Sequence, residues 1–339
     1  MLEELEPENP QVTILRRALE HAQRDLVRAK ERSTHLTAVV HNAAYDAMVA
    51  MGPIVKTPKP KTDKRKSRDE VALWHLTDWQ AAKLTTSYNT QVMRDRVMRF
   101  AHKAVDITNI HRTHHPVKNC TIVFTGDMVE GISWNFPTQP FEIDSTLFEQ
   151  YVNVSRLIMD VVTLALENYE KVHVVPEWGN HGRLGSKRDV VPKSDNMDRM
   201  CYELARQLLA NEPRLTWQDC PEDIQRIEIG NYRALAMHGD EVGRNGFASP
   251  TAWIQAGNRW RSGAYDWRFQ DIYLGHYHRH AQEPLADGLG AIYWTGSTES
   301  DNRYARDNLA SAGVPSQRLH FIDPDKGRVT AQYQVWLNE

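Results

Sequence analysis

Apolar residues along the chain follow two different rhythms. Short apolar runs at 73–77, 120–125, 172–176, 232–237, 271–274, 291–295 and 318–322 alternate with longer amphipathic stretches near 91–111, 145–169 and 196–210. Strand-length runs separated by helix-period segments predict an α/β domain, residues 71–339, whose helices cover sheet faces. Before residue 53 the rhythm changes. Leu15, Leu19, Ala22, Leu26, Ala29, Leu36, Val40, Ala43 and Ala47 recur at three- and four-residue steps until Gly52-Pro53 stops them. Residues 1–52 are therefore expected to form an N-terminal helical segment. It either packs on the chain's own domain, mediates self-association, or serves as a docking arm.

Between these regions, residues 53–70 have no apolar period, several prolines and a run of cations: Lys56, Lys59, Lys61, Lys64, Arg65, Lys66 and Arg68. That composition reads as a basic extended linker, either a solvated tether or a contact for a phosphate backbone.

Composition narrows the picture by exclusion. A net charge of -3 over 339 residues gives no global attraction to nucleic acid, so any basic surface is local. Cys120, Cys201 and Cys220 are too scattered for a disulfide framework or a cysteine-rich zinc site. The acidic N-terminus lacks the apolar core of a secretory signal, and no apolar run approaches the roughly 18 residues of a membrane span. A soluble, cytoplasmic protein with no membrane partner is expected. There is no P-loop, no GxGxxG after a strand and no GxSxG elbow.

The chemistry is concentrated where strands end. LWHLT runs into Asp78-Trp79-Gln80, TIVFT into Gly126-Asp127, and VHVVPEW into Gly179-Asn180-His181-Gly182. YRALAM ends in His238-Gly239-Asp240, and DIYL in Gly275-His276-Tyr277-His278. A lone histidine or aspartate after a strand is ordinarily a cap or a turn former. Five successive strands delivering Asp, Asn or His at their carboxyl ends, where ligand crevices form, suit a hard or borderline divalent metal.

In this order the blocks D-x-Q, GDMVEG, GNHG, HGD and GHYH resemble the signature of the calcineurin-like metallophosphoesterases, over about residues 73–300. The resemblance implies a four-layer α/β/β/α sandwich and two divalent metals, manganese first, with magnesium, iron(II) or zinc as alternatives. It implies that Asp127 bridges the metals, that Asp78, Gln80 and His278 hold the first, and that Asn180, His238 and His276 hold the second. A hydroxide between the metals would attack the phosphoester, and His181 would protonate the leaving oxygen. Two positions depart from the family pattern. Gln80 stands where a histidine is usual, a harder and neutral donor that weakens the first site and turns it from zinc toward manganese or magnesium. Gly182 replaces the acidic residue that usually orients the catalytic histidine, leaving Asp240 or Glu177 to do so.

For the substrate, Arg183, Lys187, Arg188, Lys193 and Arg199 follow the GNHG block closely, a density that suits a polyanion. Arg244, Arg259, Arg261 and Arg268 are interleaved with Trp253, Trp260, Tyr265 and Trp267, which either stack on unpaired bases or fill a core beneath a helix. The expectation is a phosphodiesterase acting as a DNA nuclease, similar to the repair exonucleases of the superfamily, with Arg183, Lys187 and Arg188 gripping DNA. Residues 296–319 are similar to the tail of phage-encoded members. Hydrolysis of nucleotides, cyclic nucleotides or phosphoproteins, or an inactive scaffold, are the alternatives.

Overall fold

The computed structural model describes residues 57–65, 68–132, 139–184, 193–243, 248–286, 288–301 and 313–338, with a few more between 38 and 50. Strand β1 (Glu70–Leu76) is buried along its whole length, and its side chains divide by parity. Ala72, Trp74 and Leu76 enter one core, whereas Val71 and Leu73 enter another. The same division holds in β2 (Val117–Thr125) and β3 (Lys171–Glu177), where Ile122 and Val174 face the first core, and Val123 and Val175 the second. Both faces of this sheet are covered, which is why its strands read as continuous apolar runs.

The first core is closed by three helices: α1 (Thr90–His111), α2 (Leu147–Asn168) and α3 (Met197–Leu208). Each begins at a side-chain cap: Asn89 accepts from Val92 N, Thr146 forms a capping box with Glu149, and Asn196 accepts from Asp198 N. The second core lies between the first sheet and a second, made of β5 (Gln225–Ile229), β6 (Tyr232–Met237), β7 (Asp271–Leu274), β8 (Ala281–Pro284) and β9 (Ala291–Trp294). Helix α4 (Pro250–Arg259), capped by Ser249, covers the outer face of that sheet over Leu235, Met237, Ile272, Leu274 and Trp294. The expected α/β/β/α sandwich is therefore observed as three cores between four layers.

Strand order is β11-β10-β1-β2-β3-β4 in the first sheet and β5-β6-β7-β9-β8 in the second, with β4 (Leu215–Trp217), β10 (Ser316–Asp323) and β11 (Arg328–Trp336) completing the set. Strands β1 to β4 run parallel, as do β6, β7 and β9, so the carboxyl ends of five central strands lie at one edge of the sandwich. Sequence periodicity misses β4, β5, β8, β11 and α4. The outermost strands carry only one buried face or none, and α4 buries only Trp253 and Gly257.

The inter-sheet core contains a polar chain. Arg318 is 1% exposed and donates to His320 Nε2 (3.1 Å), which fixes the His320 proton on Nδ1, facing Tyr273 OH (2.9 Å). Tyr273 meets Tyr232 (2.9 Å), and Tyr232 donates to Asp271 (2.7 Å). A buried cation is thus linked to a buried carboxyl through three side chains whose donors all point the same way.

Residues 57–65 contain no helix or strand. Asp63 N donates to Glu170, and Arg65 donates to the Arg112 carbonyl. Between residues 38 and 50, the described residues up to Val49 are helical and exposed; the remainder of the expected N-terminal helix lies outside the described residues. No helix among the described residues is long and apolar enough to cross a membrane.

Candidate metal centre

Five turns after β1, β2, β3, β6 and β7 converge at the shared edge, and their backbone is unusual. Asp78 (φ 51°), Gln80 (44°), Asp127 (54°), His276 (63°) and His278 (50°) all adopt left-handed conformations that L side chains rarely accept. Such strain persists only where the surroundings over-determine it, and it clusters at functional sites. The turns also approach closely. A Cβ at Gly179 would lie 2.1 Å from Asp127 Oδ1, and one at Gly126 would lie 2.2 Å from Gly179 N. Only glycine lets these two loops cross.

The first group of donors gathers around His238. Its Nδ1 donates to the Thr125 carbonyl (2.6 Å), so Nε2 carries the lone pair of the neutral ring. That lone pair faces Asp127 Oδ2 (3.2 Å), Asn180 Oδ1 (3.0 Å) and His276 Nδ1 (3.1 Å). The ligand atoms of Asp127, His238 and His276 all lie within 4.8 Å of one another. Acceptors facing acceptors require a cation or an added proton between them. In the metal-free protein a proton serves: burial opposes charge on His238, but Asp127 holds its pKa well above the ordinary range. His276, pushed down to about 4 by burial and by His238, stays neutral.

A second group adjoins the first where Asp78 Oδ2 accepts from His276 N (2.9 Å). His278 Nε2 is 3.2 Å from Asp78 Oδ1 and 3.3 Å from the Gln80 amide nitrogen, while Gln80 Oε1 is buried without a hydrogen-bond partner. A half-turn of that amide exchanges its oxygen and nitrogen and presents an oxygen to the same spot. His278 Nδ1 meets Glu299 (3.1 Å), a carboxylate–histidine pair of the type that orients metal ligands. Burial opposes charge on His278 too, and Asp78 and Glu299 raise it to about 10. Both groups thus hold protons where divalent cations would compete for the same lone pairs, and both donor sets fit a metal.

His181 lies at the rim. Its backbone N–H donates to Asp127 Oδ1 (2.8 Å), and its Nε2 is 3.9 Å from Asp127 Oδ2. The Nδ1 side faces Glu130, at 3.1 Å from its carbonyl and 3.3 Å from its carboxylate. Neither Asp240 nor Glu177 orients this ring, contrary to the sequence expectation. Asp240 pairs with Arg183 (2.5 Å), and Glu177 accepts from Gln225 (2.8 Å) and from Trp178 N (2.9 Å). Burial opposes charge on His181, yet Glu130 and Asp127 raise it to about 9.

Sequence reasoning did not identify the residues that hold the loops. Asp198, in the first turn of α3, accepts the backbone N–H groups of Asp127 (2.8 Å), Met128 (3.0 Å), Val129 (3.2 Å) and Gly179 (2.9 Å). Asn196 adds a bond to the Gly179 carbonyl (2.8 Å). Glu241 accepts from His238 N (3.0 Å) and Gly239 N (2.8 Å). In the sequence, Asn196 and Asp198 stand at the start of the amphipathic stretch near 196–210, with nothing to mark their reach to the loops.

The substrate side is less complete. Arg183 is neutralised by Asp240, and Lys187 and Arg188 lie outside the described residues. Lys193 pairs with Asp223, and Arg199 lies over the Trp178 ring at 5.9 Å. Trp253 is fully buried and fills a core, whereas Trp260, Tyr265 and Trp267 are half-buried against the same core, with Arg226 over the rings of Tyr265 (5.5 Å) and Trp267 (5.3 Å).

No family model and no curated protein matches the chain. Among solved structures, zinc-bound Vps29 from Entamoeba histolytica is 15% identical with a TM-score of 0.35, over 79% of this chain and 99% of that one. A putative 5'-nucleotidase from Staphylococcus aureus is 9% identical with a TM-score of 0.37, over 80% and 55%. Purple acid phosphatase PPD1 from yellow lupin, Lupinus luteus, is 8% identical with a TM-score of 0.36, over 80% and 54%. This chain therefore spans about half the length of the last two.

Proposed function

We propose that the chain is a dinuclear-metal phosphodiesterase. The observation that carries this reading is the adjacency of two donor groups, Asp127, Asn180, His238 and His276 in one and Asp78, Gln80 and His278 in the other, joined where Asp78 Oδ2 accepts from His276 N (2.9 Å) and the Asp127 carbonyl accepts from Gln80 N (2.8 Å). Two divalent cations held there would supply an activated water and would stabilise charge on the phosphoryl oxygens. The chain's own contribution is orientation and proton transfer. Thr125 and Glu299 hold His238 and His278 in the tautomer that leaves Nε2 free. His181, oriented by Glu130 and protonated at neutral pH, faces the rim and donates a proton to the departing alkoxide.

Within that class, DNA is the substrate we favour, because the loop bearing His181 continues directly into the basic run Arg183, Lys187, Arg188 and Lys193. A nucleotide or other small phosphodiester is the competing substrate, favoured by the pairing of Arg183 with Asp240. A panel with Mn²⁺ decides: single- and double-stranded DNA, RNA, a bis-aryl phosphodiester, an aryl monoester and cyclic nucleotides. DNA cleavage that falls steeply with salt supports the nuclease. Turnover of a nucleotide without DNA cleavage moves the assignment to small substrates. Absence of metal binding and of hydrolysis on every substrate refutes the proposal.

A further inference from the structure

Lys83 is 5% exposed, and nothing in the phosphodiesterase reading uses it. Its ammonium lies 3.6 Å from Glu130 Oε1 and 3.7 Å from Glu299 Oε1. Both carboxylates are themselves buried, at 1% and 4% exposure, and each turns its other oxygen to a functional histidine. Glu130 Oε2 is 3.3 Å from His181 Nδ1, and Glu299 Oε2 is 3.1 Å from His278 Nδ1. Five buried or nearly buried side chains thus form one row, His181–Glu130–Lys83–Glu299–His278, joining the rim acid to a ligand of the other donor group. The row is tied to the ligand loop itself, since Lys83 N donates to the Gln80 carbonyl (3.0 Å). Gln139 steadies the Glu130 end, donating to its carboxylate at 3.1 Å and its carbonyl at 2.9 Å.

A buried ammonium is stable only when paired, and a buried carboxylate holds one orientation only when both of its oxygens are engaged. Burial opposes the charge on Lys83, but Glu130 and Glu299 raise its pKa, so it remains a cation. We propose that Lys83 is a positioning residue that sets the rings of His181 and His278 together, through one carboxylate to each. The roles given to the two histidines rest on the phosphodiesterase reading; the row of contacts does not.

The test compares wild type with Lys83→Met, which removes the charge at similar length, and Lys83→Arg, which restores it. Hydrolysis is followed on two diesters that differ in the leaving group, 4-nitrophenyl and phenyl. A 4-nitrophenolate departs without a proton, so a misplaced acid is felt mainly with phenyl. Turnover by Lys83→Met should fall about 10- to 100-fold more on the phenyl diester, with KM little changed and Lys83→Arg recovering most of the loss. Two further readouts need no turnover. Mn²⁺ affinity at the weaker site, followed by electron paramagnetic resonance, should drop about 10- to 100-fold. Side-chain ¹⁵N spectra of the metal-free protein should show His181 and His278 leaving their single Nδ1-bonded environments. Equal losses on both diesters, with Mn²⁺ affinity and histidine spectra unchanged, overturn the proposal. If wild type hydrolyses neither diester and none of the DNA, RNA or nucleotide substrates, the phosphodiesterase reading fails, while Mn²⁺ affinity and the spectra still decide the role of Lys83. Should Lys83→Met not fold, Lys83→Gln is judged by the same readouts.

Discussion

Replacing Asp198 by asparagine tests the claim that one buried carboxylate clamps the two loops beneath the metal centre. Oδ1 accepts from Met128 and Val129, and Oδ2 from Asp127 and Gly179. Burial and the nearby Asp127 push this carboxyl up to about 6, so it is ionised at neutral pH. An asparagine keeps the shape, but either way round it turns an NH₂ group toward two backbone N–H donors. Two hydrogen bonds to a charged acceptor disappear and two buried donors lose their partner. At about 1.5–3 kcal/mol per bond, the loss is roughly 3–6 kcal/mol, a large share of the 5–15 kcal/mol typical of a folded domain. With a urea m-value near 3 kcal/mol/M, the unfolding midpoint at pH 7 should fall by about 1–2 M. Mn²⁺ binding should weaken as well, since Asp127 and the turn leading to Asn180 sit on the clamped loops. A midpoint shift below about 0.3 M with unchanged Mn²⁺ binding would refute the clamp.

Asp127→Asn should abolish diester hydrolysis and reduce bound Mn²⁺ from two ions toward one or none, measured by elemental analysis, because its carboxylate faces His238 in one donor group while its carbonyl anchors the Gln80 turn of the other. His181→Ala should keep its metal and lose on the order of 10²–10⁴ in turnover; metal loss equal to that of His276→Ala would make His181 a ligand. Gln80→His should raise metal affinity and shift selectivity toward zinc in a competition titration, imidazole being the softer donor. Asp271, raised to about 6 chiefly by burial, favours the neutral carboxyl in the fold. Its contribution to stability is full below the ordinary carboxylate range and is lost as pH rises through about 6, so Asp271→Asn should give a shallower fall in urea midpoint across that window. An unchanged slope would show that Asp271 does not titrate as its burial implies.

Strands β1, β2, β3, β6, β7, β9 and β10 were legible because both of their faces are buried and most of their side chains are apolar. Strand β11 was not, because its alternating polar side chains resemble those of a loop until β10 pairs with it from Ser316↔Trp336 to Asp323↔Arg328. The aromatic-rich stretch around Trp253 was ambiguous for a different reason. Whether a tryptophan is a stacking platform or a core residue depends on what it packs against, and for Trp253 the outer face of the second sheet decides, since α4 turns that side chain onto it.

At the site, the sequence by itself determined which residue types stand after which strands. Asp78, Gln80, Asp127, Asn180, His181, His238, His276 and His278 each follow an apolar run closely, and local chain chemistry places a strand's last residue and its turn together. Only the tertiary structure decided how those residues are held. The Asp198 carboxylate reaches Asp127 across 71 positions, and His276 N meets the Asp78 carboxylate across 198. No local pattern encodes such distances. Glu130 was identified as the partner of His181, in place of Asp240 or Glu177, only once the loop after β2 was folded against the loop after β3. The physical reason is that side-chain type follows from the chain, whereas the direction of a lone pair follows from packing.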